Sequence, residues 1–559
     1  MKVKSRIIFV SGRQVHLRTA GIGPPVILLH PSPNWSKSLD LYIKVFSKNF
    51  TAIAIDTPGY GYSDLLNIKK PKIKDFTDAL NKLLTLLSIK KCAIWGSHTG
   101  ATIAIDFAIR YPDKVSVFIA DGYPAYTRKT RLEMIKNHLP PYKPKWDGSH
   151  LIHTWHKFRE MFIFSPTYEW HKKNRTKSSP PEADLIQKMI TPRLITGKHY
   201  THAYSAVFRY DSLNSINKLQ VPSCFGARSD DSLIKCFKLI GPRLKKNSWI
   251  EEFPSNKVKA AEKYKEIIKK YSQSNEIINI PMSNHRKNKI NLNFLDIESN
   301  QIAYKSIGNP NKVPTIILPP IPGDSFSVIS IMKYLNKFGH YVLSFDLPGN
   351  GDTDNFVENY SINSYAKTLN KIIKKFSFNT INLIGFNGGA SVATEFNVIR
   401  KNFLKGLILF SPIEVPLNQE KEYLKKFATK IVPKWDGTHL INLWFSLRNK
   451  QLFYPWYNET NKSILNIEPN IDPEYLTKNI TGILKNYESY EKVWKSILKY
   501  KISRKLQKMP NKTILINPEN SPFEKLTINL SKSLPNLKYV KIKDNNLIIA
   551  KFIHNFLHN

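Results

Sequence analysis

Short runs of aliphatic and β-branched residues alternate with longer stretches of helical periodicity along the chain. Runs such as VILLH (26–30), TAIAID (51–56) and CAIWG (92–96) predict buried strands. Residues 76–89, FTDALNKLLTLLSI, repeat their apolar positions at the three- to four-residue spacing of a helix. Strands that alternate with helices form βαβ units, so the pattern predicts a mostly parallel sheet, preceded by an antiparallel hairpin that turns at Ser11 and Gly12.

The whole pattern occurs twice, which predicts two domains of the same plan. PKWDGSHLIHTWHKFR (144–159) returns as PKWDGTHLINLWFSLR (433–448), and AIWGSHTGA (93–101) corresponds to LIGFNGGAS (383–391). A repeat of this length indicates a duplicated domain. We predict domains over 1–275 and 291–559, joined by a polar segment at 272–292. A helical cap is expected at about 123–205 in the first domain and about 412–488 in the second.

Composition narrows the function classes. The 559 residues carry 84 Lys and Arg against 43 Asp and Glu, a formal charge of +41. The basic residues are scattered and no nucleic-acid-binding signature accompanies them, so a solvated basic surface is favoured over a nucleic-acid partner. No apolar run is long enough to cross a bilayer or to resemble a signal peptide, which predicts a cytoplasmic protein without a membrane partner. The three cysteines have neither disulfide nor zinc spacing.

Four motifs in order resemble the α/β-hydrolase superfamily. In the first half they are LLHPSP (28–33), IDTPGYGYSD (55–64), WGSHTGA (95–101) and VPSCFGARSDD (221–231), and most have counterparts in the second half. The resemblance implies two tandem α/β-hydrolase-fold domains, each a mostly parallel sheet flanked by helices and covered by a helical cap. Ligands of open α/β sheets bind at the carboxyl ends of the strands, beneath such a cap.

The nucleophile elbow of this superfamily is G-x-Nu-x-G, a sharp turn from strand to helix. The residues two before and two after the nucleophile must be small, because strand and helix cross closely there. With Gly96 and Gly100 in the small positions, His98 occupies the elbow, and the second half places Asn387 there by the same rule. The usual serine is therefore missing from both domains, and Ser97 is expected to pack sideways.

The other triad positions are also unusual. The acid should follow the seventh strand, where Asp230 or Asp231 could serve; Asp230 is preferred. The histidine should follow the last strand, but neither half has one there, and His285 in the linker does not fit. A cap histidine, His150, is a candidate replacement; the same motif could instead simply start a cap helix.

Some chemistry remains possible in the first domain. The imidazole of His98 could activate water as a general base or form a covalent adduct, and it could equally fill a pocket that only binds a ligand. The backbone N–H groups of Ser32 and Thr99 lie where the superfamily builds its oxyanion hole. An asparagine such as Asn387 is neither a base nor a nucleophile, so we interpret the second domain as degenerate.

The residues expected to bind substrate are His30, Trp35, Trp146 and Trp155, and the aromatic cap predicts a small apolar ligand. His199 and His202 have no further ligand at metal spacing, so no metal and no cofactor are expected. The sequence thus favours a hydrolase of a small apolar ester, amide or related bond. A catalytically inactive pseudo-hydrolase that binds a ligand or serves as a scaffold is the alternative, and a charge-driven binder of an anionic partner is a third. The sequence predicts no oligomeric state.

Overall fold

The computed structural model describes residues 2–176, 179–272, 278–281, 286, 288–356, 359–506, 512–519 and 521–558. The chain forms two compact units. The first combines Met1–Lys143 with His153–Asn284, and the second combines Pro144–Ile152 with His285–Asn559. This grouping differs from the predicted domain limits at residues 144–152. Much of the predicted linker, His285 included, lies outside the described residues.

The first unit is built on a sheet of eight strands among its described residues. Its strands are β1 (Lys4–Val10), β2 (Arg13–Ala20), β3 (Pro25–Leu29), β4 (Thr51–Ile55), β5 (Cys92–Ser97), β6 (Val115–Asp121), β7 (Ser223–Arg228) and β8 (Ser248–Phe253). Their order is β1-β2-β4-β3-β5-β6-β7-β8. The first two strands form the predicted antiparallel hairpin, β2 pairs antiparallel with β4, and all later pairs are parallel.

Helices cover both faces of this sheet, which is why its central strands are apolar throughout. The helices from β3 to the end of the unit are α1 (Asp40–Phe46), α2 (Ile73–Leu86), α3 (Thr99–Arg110), α4 (Arg128–Asn137), α5 (Ser149–Glu160), α6 (Ala183–Thr196), α7 (Thr201–Arg209), α8 (Ser212–Ile216), α9 (Phe237–Ile240) and α10 (Lys257–Tyr271). Ile94 of β5 packs into the core beside α2 and α3. Its neighbours Ala93 and Trp95 pack on the opposite face, beside α1 and α10.

The second unit repeats this architecture. Its strands are β9 (Asn291–Ile297), β10 (Asn300–Ile307), β11 (Pro314–Leu318), β12 (Tyr341–Phe345), β13 (Ile381–Phe386), β14 (Leu404–Phe410), β15 (Thr513–Pro518) and β16 (Lys538–Ile542). Its helices are α11 (Ile329–Lys337), α12 (Ile362–Phe376), α13 (Gly388–Ile399), α14 (Glu420–Lys426), α15 (Thr438–Asn449), α16 (Pro473–Leu484), α17 (Tyr490–Leu498), α18 (Ser503–Leu506), α19 (Glu524–Lys532) and α20 (Asn546–His558). The strand order, β9-β10-β12-β11-β13-β14-β15-β16, is that of the first unit. The predicted fold class is therefore confirmed for both halves.

In each unit, several helices follow the sixth strand, where the caps were expected. They are α4 to α7 in the first half and α14 to α16 in the second. The limits of the caps remain predictions. Within the described residues, no helix combines the length and the apolar character that a bilayer crossing requires.

Candidate functional site

His98 stands at a tight turn between β5 and α3. Its backbone has φ 49° and ψ −107°, a conformation that residues other than glycine rarely adopt. A Cβ on Gly96 would lie 2.4 Å from the backbone of Gly100, and a Cβ on Gly100 would lie 2.1 Å from the carbonyl oxygen of Leu29. The two glycines are thus required where strand and helix touch. The His98 side chain is 40% exposed, whereas Ser97 is only 8% exposed.

The carboxylate beside His98 belongs to Asp231. His98 Nε2 lies 2.8 Å from Asp231 Oδ2, and Asp231 Oδ1 accepts a hydrogen bond from Leu233 N at 2.8 Å. The preference for Asp230 is therefore wrong. Asp231 caps the short 3₁₀ helix that follows β7, so one of its oxygens is held by the backbone while the other faces the imidazole. Asp230 lies instead 3.5 Å from Arg228 Nε.

The contact between His98 and Asp231 shifts the pKa of each side chain in the direction that favours its charged form. Burial lowers the pKa of His98, but the charge of Asp231 and its hydrogen bond raise it by more, so the net pKa lies above the ordinary 6.5. Burial likewise raises the pKa of Asp231, yet the nearby imidazole and the Leu233 N–H lower it to about 2. Asp231 is consequently ionised throughout the physiological pH range.

Gly122 is a site residue that the sequence reasoning missed. It follows β6 with φ 77°, and a Cβ there would lie 2.8 Å from both Cδ2 and Nε2 of His98 and 2.9 Å from Asp231 Oδ2. The available signal was a glycine directly after a predicted strand, at the carboxyl edge of the sheet. Gly122 leaves the space in which the imidazole and the carboxylate meet.

A buried ionic network lies beneath the pair. Asp121, which is 1% exposed, accepts hydrogen bonds from Arg228 Nη1 at 2.7 Å and from the Tyr264 hydroxyl at 2.9 Å. Arg228 Nη1 also lies 3.3 Å from the Tyr42 hydroxyl. The backbone carbonyl oxygen of Asp121 accepts a hydrogen bond from His98 N at 3.3 Å, so Asp121 links this network to the elbow.

The two expected oxyanion donors belong to the start of α3 and to the loop after β3. Thr99 is the first residue of α3, where backbone N–H groups have no partner within the helix. Ser32 lies in the loop after β3 and is joined to Pro33 by a cis peptide bond. Their role as an oxyanion hole remains a prediction.

Three of the residues expected to bind substrate are buried in the first unit. His30 is fully buried, its Nε2 accepting a hydrogen bond from Thr57 N at 3.0 Å and its Nδ1 donating to Pro31 O at 2.9 Å. Trp155 is also fully buried, and Trp35, 9% exposed, packs edge-on against Tyr62. His30 thus holds two loops together through its hydrogen bonds. The side chains of His30, Trp35 and Trp155 do not line the cavity described below.

Trp146 and His150 lie in the segment that groups with the second unit. Trp146 is 69% exposed. His150 Nδ1 accepts a hydrogen bond from Lys145 N at 3.1 Å, and its Nε2 lies 2.9 Å from Thr477 Oγ1. Because both ring nitrogens are bound there, the structure contradicts the hypothesis that His150 replaces the missing triad histidine.

A cavity of about 490 Å³, counted with its opening to solvent, lies between the β3 loop and the cap helices of the first unit. It is lined by Pro33, His138, Pro140, Pro141, Tyr142, His153, Thr154, Lys157, Phe158, Met161, Arg193, Tyr200 and Tyr204. Arg193 is 6% exposed and lies between two rings, 4.3 Å from the centroid of Tyr142 and 3.5 Å from that of Tyr200. Lys157 Nζ donates to the carbonyl oxygen of His138. These lining residues of the described chain include two cations and no carboxylate.

The second unit has the same turn without the ionisable groups. Asn387 has φ 50° and ψ −116° between β13 and α13. Ser411 stands where the first unit has Gly122, and its Oγ donates to Asn517 Oδ1 at 3.1 Å. Pro518 stands in the place of Arg228. The position equivalent to Asp231 is Ser521, whose Oγ accepts a hydrogen bond from Phe523 N at 3.2 Å, as Asp231 Oδ1 does from Leu233 N.

Comparisons with known proteins agree with this architecture. A family model described as the alpha/beta hydrolase fold matches residues 24–145, and one described as the Ndr family matches residues 324–548. The chain is similar to an uncharacterized hydrolase, YraK, of Bacillus subtilis, with 27% identity over 120 residues that cover 21% of this chain and 44% of that protein. It is also similar to epoxide hydrolase 4 of Homo sapiens, with 29% identity over 117 residues that cover 20% of this chain and 32% of that protein.

Among solved structures, epoxide hydrolase A from Mycobacterium thermoresistibile aligns with 19% identity and a TM-score of 0.36, over 45% of this chain and 92% of that one. The chain spans less than half the length of the two curated relatives named above. With two sheets in the same strand order and family matches in both halves, the chain carries the α/β-hydrolase fold twice.

Proposed function

We propose that the first unit is a hydrolase of small esters, amides or related bonds in which His98 is the general base and Asp231 its positioning residue. The observation that carries the proposal is the 2.8 Å contact between His98 Nε2 and Asp231 Oδ2 at the elbow. A histidine whose ring is oriented by a buried carboxylate is the base of many acyl-transfer sites. Here it stands where the superfamily normally holds its nucleophile.

The arrangement supports direct attack by water. Asp231 accepts the Nε2–H of the neutral imidazole, which leaves the lone pair on Nδ1. Nδ1 takes a proton from water as the water oxygen bonds to the substrate carbonyl carbon, and the backbone N–H groups of Ser32 and Thr99 would stabilise the oxyanion. As the oxyanion collapses, the bond to the leaving group breaks, and the imidazolium returns its proton to that group. Asp231 stabilises the imidazolium in between.

The cavity favours a substrate that carries a negative charge. Burial, and then the charge of Arg193, lower the pKa of Lys157 to about 7. Lys157 thus loses its proton readily beside Arg193, and because no carboxylate is among the lining residues, an anionic group near both side chains would favour its charged form. Aromatic and apolar side chains supply the rest of the wall. We therefore refine the apolar substrate expected from the sequence to a small molecule with an apolar body and a carboxylate.

Burial raises the pKa of Tyr126 well above its usual value, and smaller contributions come from Cys236, from Tyr204, which lines the cavity, and from Asp231. In the second unit, Asn387 offers no base, so we assign turnover to the first unit only. The cytoplasmic location remains a prediction.

Turnover by the full chain tests the proposal. Wild type, His98→Ala and the surface control His171→Ala are assayed on a panel of small esters and amides, each with and without a carboxylate. Loss of a general base should lower turnover by roughly 10² to 10⁴, while the control keeps the wild-type rate. Equal turnover by His98→Ala would remove His98 from the mechanism. Thermal stabilisation of wild type by these compounds without turnover would instead favour a ligand-binding pseudo-hydrolase.

A further inference from the structure

Three histidines of the second unit converge on one point. His554 and His558 are four residues apart on α20, a spacing that places them on the same face of a helix. His340 directly precedes β12. One ring nitrogen from each of the three lies within 4.8 Å of the other two. The sequence alone gave no sign of this cluster, because more than 200 residues separate His340 from α20.

The remaining ring nitrogens of two of these histidines face oxygen atoms. His340 Nδ1 lies 3.1 Å from the buried Thr315 Oγ1, and His558 Nδ1 donates to the carbonyl oxygen of His554 at 2.9 Å. Such hydrogen bonds orient the rings of metal-binding histidines and select the tautomer with a free lone pair on the other nitrogen. The lone pair on Nε2 of His558 is thereby available to a metal. Nε2 of His340 carries a lone pair in the tautomer in which Nδ1 donates to Thr315 Oγ1.

Hydrogen bonding among the rings does not explain the cluster as well as a metal does. The rings make one such contact, His340 Nε2 to His554 Nδ1 at 3.1 Å. That distance is near the separation of about 3.4 Å expected between two nitrogens on tetrahedral zinc with Zn–N bonds of about 2.0–2.1 Å. The charged group that acts on the pKa of His340 from outside the cluster is Lys312, a cation, so no described carboxylate offsets the other two imidazoles at His340.

We propose that His340, His554 and His558 bind a zinc ion. Imidazole nitrogen suits zinc, and water would complete the tetrahedron because His558 is exposed. Thr315 and His340 lie at the amino ends of β11 and β12, at the opposite edge of that sheet from the elbow at Asn387. The ion is therefore structural: it fastens α20 to the sheet, beside the stacked rings of Phe338 and His554.

Metal binding by the full chain tests this directly. The protein is produced without an affinity tag and stripped with a chelator. Zinc binding is then followed by calorimetry, and cobalt is used as a coloured substitute. We expect one tight zinc site and the visible absorption of a tetrahedral cobalt complex. We also expect a thermal transition that rises with zinc.

His558→Gln changes an exposed side chain and should fold normally, so it is the decisive variant, with His554→Gln beside it. Both should lose the tight site and the zinc-dependent stabilisation. The matched control, His199→Gln with His202→Gln, removes a neighbouring pair of histidines from the first unit and should keep both. Tight binding that survives in His558→Gln and His554→Gln, or wild-type protein without a tight site, would overturn the proposal.

Discussion

Replacing Gly122 with alanine should move the side chains of His98 and Asp231 apart without substituting either residue. The new Cβ would lie 2.8 Å from two ring atoms of His98 and 2.9 Å from the Asp231 carboxylate. Carbon contacts are comfortable at about 3.5–4.0 Å, so each of the two side chains must withdraw by at least roughly 0.6 Å. A hydrogen bond of 2.8 Å stretched by that amount exceeds the usual limit of about 3.2 Å.

The backbone strain of this change can be matched by a control. Gly122 has φ 77° and Gly12, in the β1–β2 turn, has φ 75°, but a Cβ on Gly12 would meet no atom within 4 Å. Either substitution should cost about 1–2 kcal/mol in unfolding free energy from the left-handed backbone alone. Only Gly122→Ala should also displace the base, and a misplacement of about 1 Å can reduce the rate by about 10²-fold.

The assay is kcat/KM on whichever ester the wild type hydrolyses, alongside urea unfolding of both variants. We expect Gly12→Ala to retain the wild-type kcat/KM and Gly122→Ala to lose about two orders of magnitude. Similar stability losses with very different rates would locate the effect at the site. If Gly122→Ala kept the rate of Gly12→Ala, the contact between His98 and Asp231 would not matter for turnover, and the reasoning would fail.

Three further outcomes are expected. Arg193→Gln should raise KM for carboxylate-bearing esters and leave neutral esters unaffected; a uniform change for both would contradict an anionic subsite. Arg228→Met should lower the unfolding free energy by about 3–5 kcal/mol in urea, because Asp121 is left buried without its cation; a loss below about 1 kcal/mol would show that Tyr264 suffices. Asn387→Ala should leave turnover unchanged, and a large loss of rate would mean that the second unit takes part in catalysis.

Much of the fold could be predicted because its signals are local. The β-branched runs were strands. Glycines flank position 98 because a Cβ at either place would clash where the strand and the helix cross. The same steric rule, applied to Gly385 and Gly389, placed Asn387 at the second turn. Such features depend on neighbours in sequence, which is why a pattern reveals them.

The partners of His98 could not be predicted in the same way. Choosing between Asp230 and Asp231 depends on the 3₁₀ turn after β7, where Leu233 N donates a hydrogen bond to Asp231 Oδ1. The burial of His30 depends on Thr57, which comes from a different loop. The cations of the cavity come from separate cap helices, so their proximity has no signature along the chain.

The pH dependence of kcat/KM, measured on wild type and Asp231→Asn, tests the central claim most directly. The base must be neutral to accept a proton, so the rate should rise with pH through the pKa of His98, which lies above 6.5 in the wild type. Removing the carboxylate charge lowers that pKa, so in Asp231→Asn the rise should move to lower pH and the plateau should fall. An acid limb at the same pH in both proteins would contradict the pairing of His98 with Asp231 as the catalytic base.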